Sequence, residues 1–174
     1  MVMNFFELVK TRQSVRMYLN RPLEEDKLQQ ILEAAIAAPS AGNLQAYEIY
    51  LVRERHHKLA LARAALDQYF LAAVPAALVF CAHPARASAK YGDRGKRLYS
   101  VQDATIACAF AMLAATNQGL GTVWVGAFNE DEVRKVIGVT DDVVPVAILP
   151  VGYPAETPEK TLRRQLDDIV HEVR

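Results

Sequence analysis

The sequence predicts a single folded domain in which alanine-rich helices pack with a few short strands, and three observations lead there. The chain has 174 residues, enough to bury a core without disulfide staples. Apolar residues make up 52% of it, many of them alanine, which suits closely packed helices rather than a disordered chain. Hydrophobic spacing changes between a helical period and short strand-like runs, with no internal repeat and no compositional break that would divide the chain.

The elements follow in order. Asn4 and Glu7 form a capping pair ahead of Phe5, Leu8 and Val9 at helical spacing, so a first helix is expected to run to about Arg12. A second is expected over Leu23 to Ala38, entered at Pro22 and stopped by Pro39, with Leu28, Ile31, Leu32, Ala35 and Ile36 on one face. The stretch 38–43 has loop chemistry, and Tyr47 to Val52 alternates like a strand. His57 to about Tyr69 has helical spacing, Pro75 breaks the chain, and the apolar run Ala76 to Cys81 reads as a central strand. Between His83 and Tyr99 the chain is polar and contains glycine, which predicts a long connection or lid. Ser100 with Asp103 reads as a cap opening a helix that ends at Gly119. Thr122 to Val125 is a short strand candidate, Asn129 with Glu132 caps a helix ending near Gly138, and Val143 to Val151 is the last strand. The polar tail after Pro154 cannot bury itself and needs another surface.

Twenty basic residues balance twenty acidic ones, so no global field favours nucleic acid or an anionic membrane surface. The N-terminus lacks the basic and apolar pattern of a secretory signal, and no apolar run reads as a membrane span, so a cytoplasmic protein is expected. Cys81 and Cys108 sit in apolar surroundings without the spacing of a zinc site or redox pair, and read as buried thiols. His56 and His57 are adjacent at a helix start and so face different directions, His83 follows a strand and His171 sits in the polar tail, and no metal site is expected from them.

Two polar constellations stand out. In Arg12-Gln13-Ser14-Val15-Arg16, two guanidinium groups flank a hydroxyl just after a helix. Alternate positions of an extended segment point to one side, so the group suits a phosphate; a solvated basic turn has the same composition. Pro39-Ser40-Ala41-Gly42-Asn43-Leu44-Gln45 is a loop of small residues that lets a ligand approach the backbone, or is simply a turn. Gly119-Leu120-Gly121 follows a helix and precedes a strand, the reverse of a dinucleotide fingerprint. Gly92 to Arg97 lacks the spacing of a nucleotide-triphosphate loop. There is no glycine-flanked serine elbow and no cysteine in a cationic setting. Binding groups without an activated nucleophile suggest that an organic cofactor carries the chemistry.

Taken in order, the 12–16 and 38–45 segments, Thr122-Val123-Trp124-Val125-Gly126-Ala127-Phe128 and Pro150-Val151-Gly152-Tyr153-Pro154 resemble the nitroreductase family. The likeness spans the chain and includes Leu66-Asp67-Gln68, Tyr99-Gln102-Asp103 and the pair Arg163-Arg164. It implies an α+β fold, with a mixed sheet flanked by helices in an intertwined homodimer. Residues 1–174 would form one FMN-binding domain whose tail, 155–174, packs on the partner subunit. FMN would lie at the interface, with Arg12, Gln13, Ser14 and Arg16 at its phosphate and pyrimidine, and with Arg163 or Arg164 completing the phosphate site. Pro39, Ser40, Ala41 and Asn43 would come from the other subunit, Gln68 would meet the pyrimidine edge, and Trp124, Val125, Gly126 and Ala127 would pass along the flavin. The activity implied is reduction of nitroaromatics, quinones or similar flat small-molecule acceptors at the expense of NADH or NADPH, in a ping-pong scheme. Alternatives within the same scaffold are reductive dehalogenation, flavin fragmentation and non-catalytic flavin binding. The sequence departs from larger relatives in lacking a long insertion after Trp124 and in having Gln13 where a second arginine or a histidine is common.

Overall fold

The computed structural model describes residues 3–173; the ends of the 1–174 span, Met1, Val2 and Arg174, lie outside the described residues. At the centre is a four-stranded sheet of β1 (Tyr47–Val52), β2 (Ala76–Ala82), β3 (Gly121–Thr122) and β4 (Val144–Gly152), in the order β1-β2-β4-β3. All three ladders are antiparallel, and the mixed character is confined to one parallel bridge, Ser14 with Thr122.

The continuous apolar run of β2 is explained by burial on both faces. Leu78 and Phe80 enter one core, and Ala77, Val79 and Cys81 enter the other, because successive strand side chains point to opposite faces. β4 divides the same way, with Leu149 and Val151 on the first side and Ile148 on the second. Helices α2 (Glu25–Ile36) and α6 (Ser100–Asn117) cover the first face, and α3 (Arg55–Ala64) and α7 (Glu130–Ile137) cover the second. The small side chains of Ala104, Ala107, Cys108, Ala111 and Ala115 let α6 lie close to α2 and the sheet.

Local chemistry sets the helix ends. Asn4 and Glu7 close a reciprocal capping box on α1 (Phe5–Thr11), and Asn129 Oδ1 accepts Glu132 N–H at 3.1 Å to start α7, which stops at Gly138 with φ +69°. α2 is shorter than its periodic pattern, with Pro22 and Leu23 lying ahead of its cap at Glu24. The expected helix over 57–69 splits: α3 ends at Ala64, Leu66 and Asp67 take left-handed backbone, and a single turn, α4 (Phe70–Ala73), follows.

The 83–99 connection is not a loop. It folds as α5 (Pro84–Arg94) and a wide π-type turn, Gly95–Tyr99, that runs directly into α6. Pro84 occupies the first turn, His83 Nδ1 accepts Arg86 N–H at 3.2 Å, and Ala87 is buried. The glycines that suggested a loop serve the packing. Gly92 kinks the helix at φ +54°, and a Cβ on Gly95 would overlap the Ala87 carbonyl. The expected cap at Ser100 is therefore absent: Ser100 Oγ donates back to Lys96 O at 3.0 Å, and Asp103 faces a neighbouring segment. The run Pro84–Asn117 has the length and hydropathy of a membrane span, yet 44% of its apolar window is buried in the protein's own core.

Among the described residues beyond Tyr153 there is no regular element except a short turn at Leu166–Asp168. Leu162 is 98% exposed, and Leu166, Ile169, Val170 and Val173 are exposed too.

Candidate functional site

Residues 12–16 leave α1 as an extended segment pinned to the sheet edge, where Val15 N–H donates to Thr122 O at 3.0 Å. Val15 is buried against Gly121, so Ser14 and Arg16 point away from the core. They open on a cleft of about 570 Å3 lined by Lys10, Arg12, Gln13, Ser14 and Arg16 on one side and by Pro158 to Thr161 and Arg163 of the tail on the other. The tail is held there by Glu156, whose Oε1 accepts Arg16 N–H at 2.5 Å and Met17 N–H at 2.9 Å.

Charge in this cleft is one-sided. Lys10, Arg12, Arg16, Lys160 and Arg163 face a single carboxylate, Glu159, and none of the five cations has an ion-pair partner among the described residues. Burial first, and then the nearby charge of Arg163, push the Arg12 guanidinium below its ordinary pKa. Gln13 Oε1 and Thr122 Oγ1 are buried with no hydrogen-bond partner among the described residues, and both lie on the strand pair that backs the cleft. A phosphorylated ligand bearing N–H and O–H donors fits this set, and FMN is such a ligand. The two late arginines separate. Arg163 lines the cleft and donates to Thr161 Oγ1 at 2.7 Å, whereas Arg164 turns to the carbonyl of Asp168.

Pro39, Ser40 and Ala41 line a different recess of about 490 Å3, with Tyr99, Gln102 and Asp103 among its walls. The loop is tightly built. Asp103, 2% exposed on α6, accepts Ala41 N–H at 2.9 Å and Ala46 N–H at 3.2 Å, while Ser40 Oγ accepts Gln45 N–H at 2.9 Å. Gly42, Asn43 and Gln45 all take left-handed backbone. Sequence reasoning missed Asp103 as a site residue, although a lone acid on an otherwise apolar helix face was the available signal.

Gln68 and the 124–127 segment do come together. Gln68 Nε2 donates to Ala65 O at 2.9 Å and to Ala127 O at 3.3 Å, leaving its Oε1 without an intramolecular donor among the described residues. Val125 exchanges backbone hydrogen bonds with Ile148 at 3.0 and 2.9 Å, and a Cβ on Gly126 would stand 3.1 Å from Trp124 Nε1. Trp124 itself is half-buried against the α2/α6 core. Cys81 and Cys108 are buried, and burial pushes the Cys81 thiol up to about 12, so neither thiol serves as a nucleophile near neutral pH.

The chain is similar to known proteins over nearly its whole length. A family-wide profile described as the Nitroreductase family matches residues 9–83 and 62–153. An NADH dehydrogenase of Thermus thermophilus is 31% identical over 186 residues, covering 91% of each chain. The FMN reductase [NAD(P)H] of Bacillus subtilis is 30% identical, covering 95% of this chain and 73% of that protein. Among solved structures, the NADPH:FMN oxidoreductase of Vibrio harveyi complexed with NAD+ superposes with a TM-score of 0.89 at 26% identity, over 97% of this chain and 76% of the other. By profile, sequence and fold together, the chain belongs to the nitroreductase family.

Proposed function

We propose that this protein is an FMN-dependent oxidoreductase that takes electrons from NADH or NADPH and passes them to nitroaromatics, quinones or similar flat small molecules, donor and acceptor using one site in turn. The observation that carries the reading is the cleft lined by Ser14, by five cations without an ion-pair partner among the described residues, and by Gln13, whose Oε1 has no hydrogen-bond partner among those residues. The flavin reductases of Bacillus subtilis and Vibrio harveyi to which the chain is similar support the same cofactor and donor.

In this reading Arg12, Ser14, Arg16 and Arg163 hold the FMN phosphate, with forked guanidinium donors matching its oxygens. Gln13 and Gln68 offer acceptors to the pyrimidine edge, and Trp124, Val125, Gly126 and Ala127 pass along the ring, with the N–H groups of Gly126 and Ala127, rather than that of Val125, which donates to Ile148 O, stabilising negative charge without side-chain rearrangement. When bound, FMN supplies the redox chemistry, so no protein side chain has to act as a nucleophile. In the single chain Pro39, Ser40 and Ala41 line a recess that shares no residue with the phosphate cleft, and Asn43 lines neither. A second copy of the chain supplies them, and the exposed apolar residues of the tail, 155–174, are covered by that copy, making one domain of residues 1–174 per subunit. In this reading the protein works as a cytoplasmic homodimer.

The test is the absorption spectrum of the purified protein, followed by anaerobic addition of NADH and then NADPH. A flavin spectrum that bleaches, and recovers on adding a quinone or nitroaromatic, is the expected result. Flavin that does not bleach would leave a binding module, and a protein that refuses added FMN would overturn the assignment.

A further inference from the structure

The phosphate cleft leaves a second concentration of positive charge unexplained. Between Pro84 and Tyr99 there are five basic residues and one acidic one, in a chain whose charges balance overall. Arg86 is committed to Glu48 and to the carbonyls of Gln45 and Tyr47, and Arg97 lies 4.0 Å from Asp93. Lys90, Arg94 and Lys96 are exposed and have no carboxylate partner among the described residues.

Two of these cations, Lys90 and Arg94, are mounted on an aromatic pair. The Tyr91 and Tyr99 rings meet edge to face with centroids 5.2 Å apart, and Arg94 Nε donates to Tyr99 Oη at 3.1 Å. Lys90 Nζ lies 5.4 Å from the centroid of the Tyr91 ring. The assembly caps the 39–45 loop. A Cβ on Gly42 would overlap Tyr91 Oη and stand 2.8 Å from Lys90 Nζ, while Tyr99 lines the recess of Pro39, Ser40 and Ala41.

We propose that this cap binds the phosphate-bearing half of the dinucleotide donor, with Lys90 and Arg94 contacting its phosphates and Tyr91 and Tyr99 offering ring faces and edges to its base. The inference rests on the proposed function, which puts the Pro39 to Ala41 recess at the redox site. The physical argument is one of division. The flavin phosphate has its own cations at Arg12, Arg16 and Arg163, in a cleft that shares no residue with this recess, so a second phosphorylated ligand requires a second set. Aromatic rings beside exposed cations that lack a carboxylate partner among the described residues are a chemistry that takes a nucleotide, since the ring stacks while the cations meet phosphate oxygens.

The probes are ADP-ribose and its 2′-phosphate, which carry the phosphates but no nicotinamide and so cannot reduce flavin. Their binding to the purified protein, supplemented with FMN, is measured by calorimetry at low ionic strength for wild type, Lys90→Ala, Arg94→Ala, the double variant and Lys135→Ala. Lys135 is an exposed lysine of α7 remote from the cap and controls for loss of charge. The expected result is binding by wild type that weakens about tenfold or more in the double variant, for loss of two charge-assisted contacts, while Lys135→Ala binds as wild type. FMN affinity, read separately by quenching of flavin fluorescence, stays unchanged in every variant. Absence of probe binding by wild type, or equal binding by all variants, overturns the proposal. Failure of the proposed function would show differently, as a wild-type protein that takes up no flavin.

Discussion

The carboxylate of Asp103, buried in the core helix α6, accepts the backbone N–H of Ala41 at 2.9 Å and so fixes the loop that carries Pro39, Ser40 and Ala41. Its second oxygen takes Ala46 N–H at 3.2 Å, one residue before β1 begins, and the loop is thereby held at both ends by one side chain. Asp103→Ala strands two donors, each costing about 1–3 kcal/mol when left unsatisfied in the interior. Asp103→Asn keeps an acceptor for one of them and should lose less. Urea denaturation orders the three proteins, wild type above Asn above Ala. Equal stability of all three would mean that solvent or a neighbour replaces the carboxylate.

The cationic cleft predicts a graded set of losses in FMN affinity. Arg12→Ala and Arg163→Ala each remove a charge-assisted contact and should weaken FMN roughly tenfold to a hundredfold, as read by flavin fluorescence quenching. Arg164→Ala should change affinity little, because that guanidinium is turned to the Asp168 carbonyl. Burial, and after it the charge of Arg163, lowers the Arg12 pKa, so an anion in the cleft relieves both, and free FMN should raise the melting temperature of wild type more than that of either cleft variant. A large loss in Arg164→Ala with none in Arg163→Ala would exchange their roles.

The tail predicts assembly. Removing residues 157–174 takes away Leu162, Leu166, Ile169, Val170 and Val173, all exposed in the single chain, together with Lys160 and Arg163 of the cleft. The shortened protein should sediment as a monomer or a weakened dimer and should lose FMN. A dimer of wild-type strength would place the interface elsewhere.

A fourth prediction concerns acid. Tyr153 Oη donates to Glu24 Oε2 at 2.6 Å and accepts from Lys27 Nζ at 2.6 Å, with the Arg21 guanidinium 3.7 Å from the ring centroid. Chiefly through the Tyr153 hydrogen bond, and then through its own backbone N–H, Glu24 is drawn from 4.5 to about 2. A carboxylate depressed on folding contributes stability that is present above 4.5 and disappears as the pH falls toward 2. Tyr153→Phe should therefore melt below wild type at pH 6, and the gap should close as the pH drops through that window. A gap independent of pH would assign the effect to packing.

Much of this was legible in the sequence. The capping pairs Asn4/Glu7 and Asn129/Glu132 and the strand Tyr47–Val52 fold as read, because caps and half-buried strands are local or periodic signals. The 83–99 segment was misread as a loop, since Gly92 and Gly95 signal a break in isolation. In the fold one kinks a helix and the other admits a close backbone crossing at Ala87. Asp103 was misread as a cap for the same reason: the residues it serves, Ala41 and Ala46, lie about sixty positions away in the chain.

By itself the sequence determined the helices α1, α2, α6 and α7, the strands β1, β2 and β4, the two buried thiols, the 12–16 and 39–45 segments and the family they mark. Only the tertiary structure decided that Arg163 and not Arg164 joins Arg12, that Gln68 meets Ala127, and that Asp103 holds the Ala41 loop. The physical reason is range. Capping, periodicity and turn preference act over a few residues and are written in local order, whereas these pairings depend on how strands and helices cross, which no short stretch of sequence encodes.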